Sequence, residues 1–208
     1  MNPNRLYPFV ATGALLTALP AHAHHAMGGE VPSSFAQGLL SGLAHPVIGV
    51  DHFVFLLVVG VLAVSLSDAA RFLVPGAFVA ATVAGTGIPL AAVAMPLAEI
   101  TVAFSVLLGG LLVLMRRQPA ALLLGSAVAT FGLFHGYAYG ESIVGAESTP
   151  LAAYLLGFSF IQYAFLIGVI LGMGRLAARS EYLRPLTIRG TGMAAAATGS
   201  LMMAVNLA

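Results

Sequence analysis

Six long apolar stretches dominate this chain, and the short segments between them hold most of the charge. The stretches run over about residues 34–66, 72–84, 97–115, 120–138, 151–173 and 186–208. A helix of about 20 apolar residues crosses the hydrocarbon core of a bilayer. Inside that core backbone polar groups must be satisfied within the segment, which leaves helices as the natural form for such runs. With 60% of residues hydrophobic and only 7% charged, a soluble globular domain is excluded. The expected fold class is all-α: a polytopic integral membrane helical bundle of about six transmembrane helices. The bilayer itself is its first partner. A net charge of +1 excludes a strongly basic nucleic-acid surface. The absence of cysteine removes disulfides and thiolate metal sites.

The amino terminus reads as a cleavable signal peptide, residues 1–23. Arg5 supplies the positive start, Leu6 to Pro20 an apolar core, and Ala21-His22-Ala23 a small-x-small cleavage site. Residues 24–208 then form a single transmembrane domain. The second stretch is interrupted at Gly85-Thr86-Gly87-Ile88-Pro89 and at Met95-Pro96, so a broken helix or outer loop is expected there. Arg175, Arg179, Arg184 and Arg189 with Pro185 read as a basic connection before the last span. With the mature N-terminus outside, all arginines after the signal fall in cytoplasmic loops, the positive-inside pattern of a multi-pass inner cell-membrane protein of bacterial type. Glu30, Glu99, Glu141 and Glu147 fall on the outer side, where acids raise the local cation concentration.

Ionisable side chains inside such stretches are costly and face a bundle interior or a water-filled cavity. His45 and His52 are seven residues apart, two turns on one face of a continuous helix, and about 10 Å apart at 1.5 Å per residue. Asp51 stands beside them, able to orient an imidazole or hold a cation. Pro46 and Gly49 can loosen the helix locally. The second cluster is Phe134-His135-Gly136-Tyr137-Ala138-Tyr139-Gly140-Glu141. Gly136 and Gly140 permit close helix approach, which would bring His135 within reach of the first helix. Tyr139 shares a face with His135, and Tyr137 reads as an interfacial anchor. A chain cut after Ala23 would begin His24-His25-Ala26-Met27, whose amine, amide and imidazole nitrogens can form a planar metal clip of the kind that suits Ni(II) or Cu(II). The plain alternatives are a solvated tail for this terminus and hydrogen-bonded core residues for the membrane histidines.

Two resemblances add to this reading. The start His24-His25-Ala26-Met27 resembles the processed start of the substrate-binding membrane subunit of nickel/cobalt ABC-type importers. The motif His45-Pro-x-x-Gly49-x-Asp51-His52, with Phe134-His135-Gly136-x-Ala138, resembles the HupE/UreJ family of nickel/cobalt permeases, in a layout covering nearly the whole chain. The family pattern His-Gly-x-Ala-His-Gly-x-Glu is departed from here: its second His is Tyr139, and Glu141 comes one residue early. The resemblance implies His45, Asp51, His52, His135 and Glu141 as permeation or binding residues, with Tyr139 by position.

The function expected is import of Ni(II) or Co(II) by a permease, not an enzyme. The metal sites would be His24, His25, His45, Asp51, His52, His135 and Glu141, with Tyr139 and Glu99 as lesser candidates. No obligatory cofactor is expected, the divalent ion being cargo. No Walker motif occurs, so this chain carries no ATPase. The alternative is an intramembrane metal-dependent hydrolase in which the histidines hold the metal and Asp51 or Glu141 is the base. A haem-binding electron carrier is a second rival, which paired axial histidines and a coloured protein would mark.

Overall fold

A computed structural model describes residues 30–208; the expected signal peptide, with His24 and His25, lies outside the described residues. Among those residues the backbone forms seven helices and no strand. They are α1 Phe35–Ile48, α2 Val50–Ala63, α3 Ala70–Leu90, α4 Ala98–Leu114, α5 Ala121–Glu141, α6 Ser148–Arg179 and α7 Leu183–Leu207. Three of them, α3, α5 and α6, are long and apolar enough to cross a membrane, and α1 with α2 makes a fourth if the bent pair is one crossing. The 17-residue α4 is a shorter apolar helix. Large apolar side chains such as Leu73, Leu122, Phe160 and Leu201 cover the outside. Water would oppose that exterior, whereas lipid would accept it.

The continuous first helix expected over 34–66 is broken. α1 and α2 meet at Gly49 with a bend of 73°. Pro46 has no N–H to give the helix ladder, and Gly49 is extended at φ −70°, ψ 106°. Any residue can adopt that backbone, so glycine is required for space: a Cβ there would lie 2.8 Å from Cδ2 of His52. The bend also corrects the expected separation of the two histidines. Their ring centroids are 5.8 Å apart instead of two turns along one axis.

α2 is the hub. Most of its residues are buried, Phe55, Leu56, Val58, Val59 and Leu62 among them, and α1, α3, α4, α6 and α7 all touch it. Around it stand three closely packed pairs: α1 on α6, α3 on α5, α4 on α7. Small residues let helix backbones meet in each pair. A Cβ on Gly42 would run into the Tyr154 carbonyl, one on Gly136 into the Thr82 carbonyl, and one on Gly199 into the backbone of Leu107.

Three further expectations change. The second apolar run does not break at 85–89; α3 continues to Leu90, because Gly85 packs on the backbone of Leu133 and Pro89 falls in the last turn. Gly136 and Gly140 do allow close approach, but their partner is α3, at Thr82 and Thr86, and not the first helix. Arg184 and Arg189 belong to α7, so the α6–α7 connection is only residues 180–182.

Candidate functional site

The break at Gly49 points the end of α1 and the start of α2 at the C-terminal half of α5. His45, His52, His135 and Tyr139 meet there, all buried. Nδ1 of His52 lies 2.9 Å from Nδ1 of His135, joining residues 83 apart in sequence. The Tyr139 ring sits against both other imidazoles, 5.0 Å from His45 edge-on and 4.4 Å from His52 between ring centroids. Phe55 stacks on His135 at 4.4 Å and closes the apolar side.

Hydroxyl groups surround these rings. Ser142 Oγ and the Tyr154 hydroxyl lie within donating reach of the carbonyl of Tyr139, at 2.8 and 3.0 Å. His45 Nδ1 lies 2.9 Å from the Tyr154 hydroxyl and 3.2 Å from Ser142 Oγ. Ser105 Oγ lies 2.7 Å from the Val102 carbonyl and 3.0 Å from His135 Nε2. One of the two Nδ1 atoms of His52 and His135 donates to the other. Which nitrogen of each ring carries the proton depends on the tautomer.

The hydroxyl of Tyr139 has no hydrogen-bond partner among the described residues, although the residue is fully buried. Leaving a buried hydroxyl unsatisfied costs about 1–3 kcal/mol. Such a group calls for an explanation beyond packing.

The carboxylates take other positions. Asp51 lies in the first turn of α2 and accepts the backbone N–H of His52 at 2.8 Å. A carboxylate there satisfies an orphan donor and suits the positive end of the helix dipole. Its Oδ1 is 3.8 Å from His52 Nδ1, too far for a hydrogen bond. Glu99 and Glu141 line a separate cavity of about 310 Å³ that holds no histidine. Tyr137, read as a membrane-interface anchor, forms part of its wall with Asn206. Among the described residues no three His, Asp or Glu side chains form a group that could hold a metal ion as arranged. Ser105, Ser142 and Tyr154 join the site unannounced by any motif. Ser105 and Tyr154 are each a lone polar residue in an apolar run, Ser142 sits at the end of α5 beside Glu141, and nothing local says which faces inward.

Fold and site together define a class: a multi-pass helical membrane bundle whose few buried titratable side chains, imidazoles and phenols, gather near one end. Comparison with known proteins narrows it. The profile of the family described as HupE / UreJ protein matches residues 12–202, and the chain belongs to the HupE/UreJ family. Protein HupE of Rhizobium leguminosarum bv. viciae is 29% identical over 197 residues, covering 95% of this chain and 98% of that protein. No solved structure gives a significant match.

Proposed function

We propose that this protein is a permease that brings Ni(II), or Co(II), into the cell through the histidine cluster. The observation that carries this reading is the convergence of His45, His52 and His135 from three helices inside an apolar bundle. Burying imidazoles in a membrane is expensive, and such groups mark ion pathways. Imidazole suits Ni, Co, Cu and Zn.

In this account the protein crosses the cell membrane six times, with α1 and α2 as one bent crossing followed by α3 to α7. Two groupings support that count. The N-terminal end of α4 and the C-terminal ends of α5 and α7 line one cavity; the C-terminal ends of α2, α4 and α6 and the N-terminal end of α7 line another. Successive helices thus run in opposite directions. The arginines after the signal cluster at the second end, which puts it in the cytoplasm. The signal, residues 1–23, is removed outside, and His24 and His25 at the new terminus offer first capture of the ion.

The ion is then gathered beside Glu99 and Glu141. It exchanges water for imidazole nitrogens of His45 and His52, rings that hydrogen bonds to Tyr154, Ser142 and His135 already orient. Breaking the His52–His135 hydrogen bond frees a third nitrogen, with the proton staying on its own ring. The unpartnered Tyr139 hydroxyl takes a water of the ion's remaining shell. A site with no complete cage at rest fits transit, since conduction needs binding weak enough for release. The protein itself performs no chemistry on a substrate. Proteoliposome uptake of Ni, Co, Cu and Zn measured in parallel tests the reading: accumulation of Ni or Co above protein-free vesicles is expected, and accumulation of none of the four removes it.

A further inference from the structure

We propose that the arginine-lined cavity at the end of the bundle away from the imidazoles binds the phosphate headgroup of an anionic phospholipid. The cavity, about 490 Å³, lies between the C-terminal ends of α2, α4 and α6 and the start of α7. α7 packs mainly on α4 and touches α6 little, so a gap is left between them.

Arg116, Arg117 and Arg184 come to this cavity from two separate chain segments. Among the described residues the salt bridges are Arg71 with Asp68 and His52 with Asp51, so none of these three guanidinium groups is paired with a carboxylate. Glu181 is the one acid in the lining; three positive charges against one negative leave +2. Arg116 is moreover held in the left-handed region at φ 53°. It closes α4 by giving its N–H to Val113 at 3.1 Å, while Arg117 gives its own to Leu112 at 3.0 Å. That is the helix-ending position glycine usually fills. An L-residue there costs about 1–2 kcal/mol, and the cost sets two consecutive arginines at the mouth of the cavity.

Guanidinium forks match phosphate oxygens in pairs. Half-buried Val64, Ala177 and Ile188 give the cavity an apolar wall beside the arginines. A soluble phosphate would leave that wall wet. An amphiphile would put its phosphate among the arginines and its chain along the wall, the arrangement expected of basic pockets between membrane helices. Arginines present only to set orientation have no reason to converge on a cavity. Arg175 and Arg179, in the last turns of α6, carry the same sign and stay outside its lining.

The test uses full-length protein reconstituted in vesicles of phosphatidylglycerol and phosphatidylcholine, re-extracted, and weighed by native mass spectrometry. Retained phosphatidylglycerol is expected on the wild type. It should fall about tenfold in Arg116→Gln/Arg117→Gln/Arg184→Gln, the loss expected when charge-assisted contacts go, and persist in Arg175→Gln/Arg179→Gln. Should the triple variant not be produced, the single Arg184→Gln, at an exposed position, is expected to show a partial loss. Equal loss in the pocket and control variants, or no loss in either, overturns the proposal. Thermal stabilisation of the detergent-solubilised protein by inorganic phosphate as large as by phosphatidylglycerol also overturns it, in favour of a free anion.

Discussion

The two ends of this bundle handle charge in opposite ways. At the imidazole end buried polar atoms meet one another: hydroxyls of Ser105, Ser142 and Tyr154 hydrogen-bond to ring nitrogens of His135 and His45. At the arginine end three guanidinium groups stand at the mouth of a cavity with no carboxylate partner among the described residues. The first arrangement is buried and hydrogen-bonded, the second open with a net positive lining. Buried polar groups need partners to be tolerated, whereas charges at a helix end can wait in water. Substitutions at the first end should therefore be costly and specific, and comparable ones at the second mild.

The largest contrast comes from glycine. Gly136→Val forces a side chain into the Thr82 carbonyl and parts α3 from α5, so the yield of folded protein in detergent should collapse. Gly190→Val, near the arginine end with nothing within 4 Å of its Cβ, should leave the yield unchanged. Equal yields would dissolve the distinction. Next in size is Tyr154→Phe, which removes a hydrogen bond to His45 Nδ1 and little volume. Metal uptake should fall about tenfold, as when the partner of a metal-binding imidazole is lost; retention of full uptake would mean the Tyr154 hydroxyl does not serve His45.

Tyr139→Phe sharpens the same point in two directions. Removing an unpartnered buried hydroxyl should stabilise the fold by about 1 kcal/mol, read as a rise in the melting temperature. Uptake should drop a fewfold if that hydroxyl serves the ion in transit. A more stable protein with undiminished uptake would make the hydroxyl incidental. The smallest effect is expected for Asp68→Ala. Its 2.7 Å pair with Arg71 is largely exposed on the acid's side. Such pairs are worth about 0–1 kcal/mol, so thermal stability should hardly move.

Much of this was legible in the chain itself. Apolar run lengths marked where helices lie, though the first run holds two, and the motif around His45 and His52 pointed to one half of the candidate site. The bend at Gly49 was foreshadowed by Pro46, but its size was not, because it depends on what α6 does to α1. Gly38 and Gly42 let α1 lie directly on the backbone of α6 at Pro150 and Tyr154, and that contact steers His45. The glycines of α5 announced a close neighbour without naming it, since a small-residue face fits any helix with a matching face. Tyr154 and Ser105 were invisible for the same reason. Each is one polar residue in an apolar run, and its inward direction is set by tertiary packing. Ser142 now stands where the family pattern places its glutamate, beside His45, so both departures from that pattern meet at one imidazole.

The most direct measurement is Ni(II) uptake into proteoliposomes by wild-type protein and by His52→Ala at matched amounts inserted. His52 touches His135 and Tyr139 and lies near His45, so it links every part of the cluster. The account predicts uptake by the wild type and only the background of empty vesicles for the variant. Undiminished uptake by a properly inserted His52→Ala would contradict it.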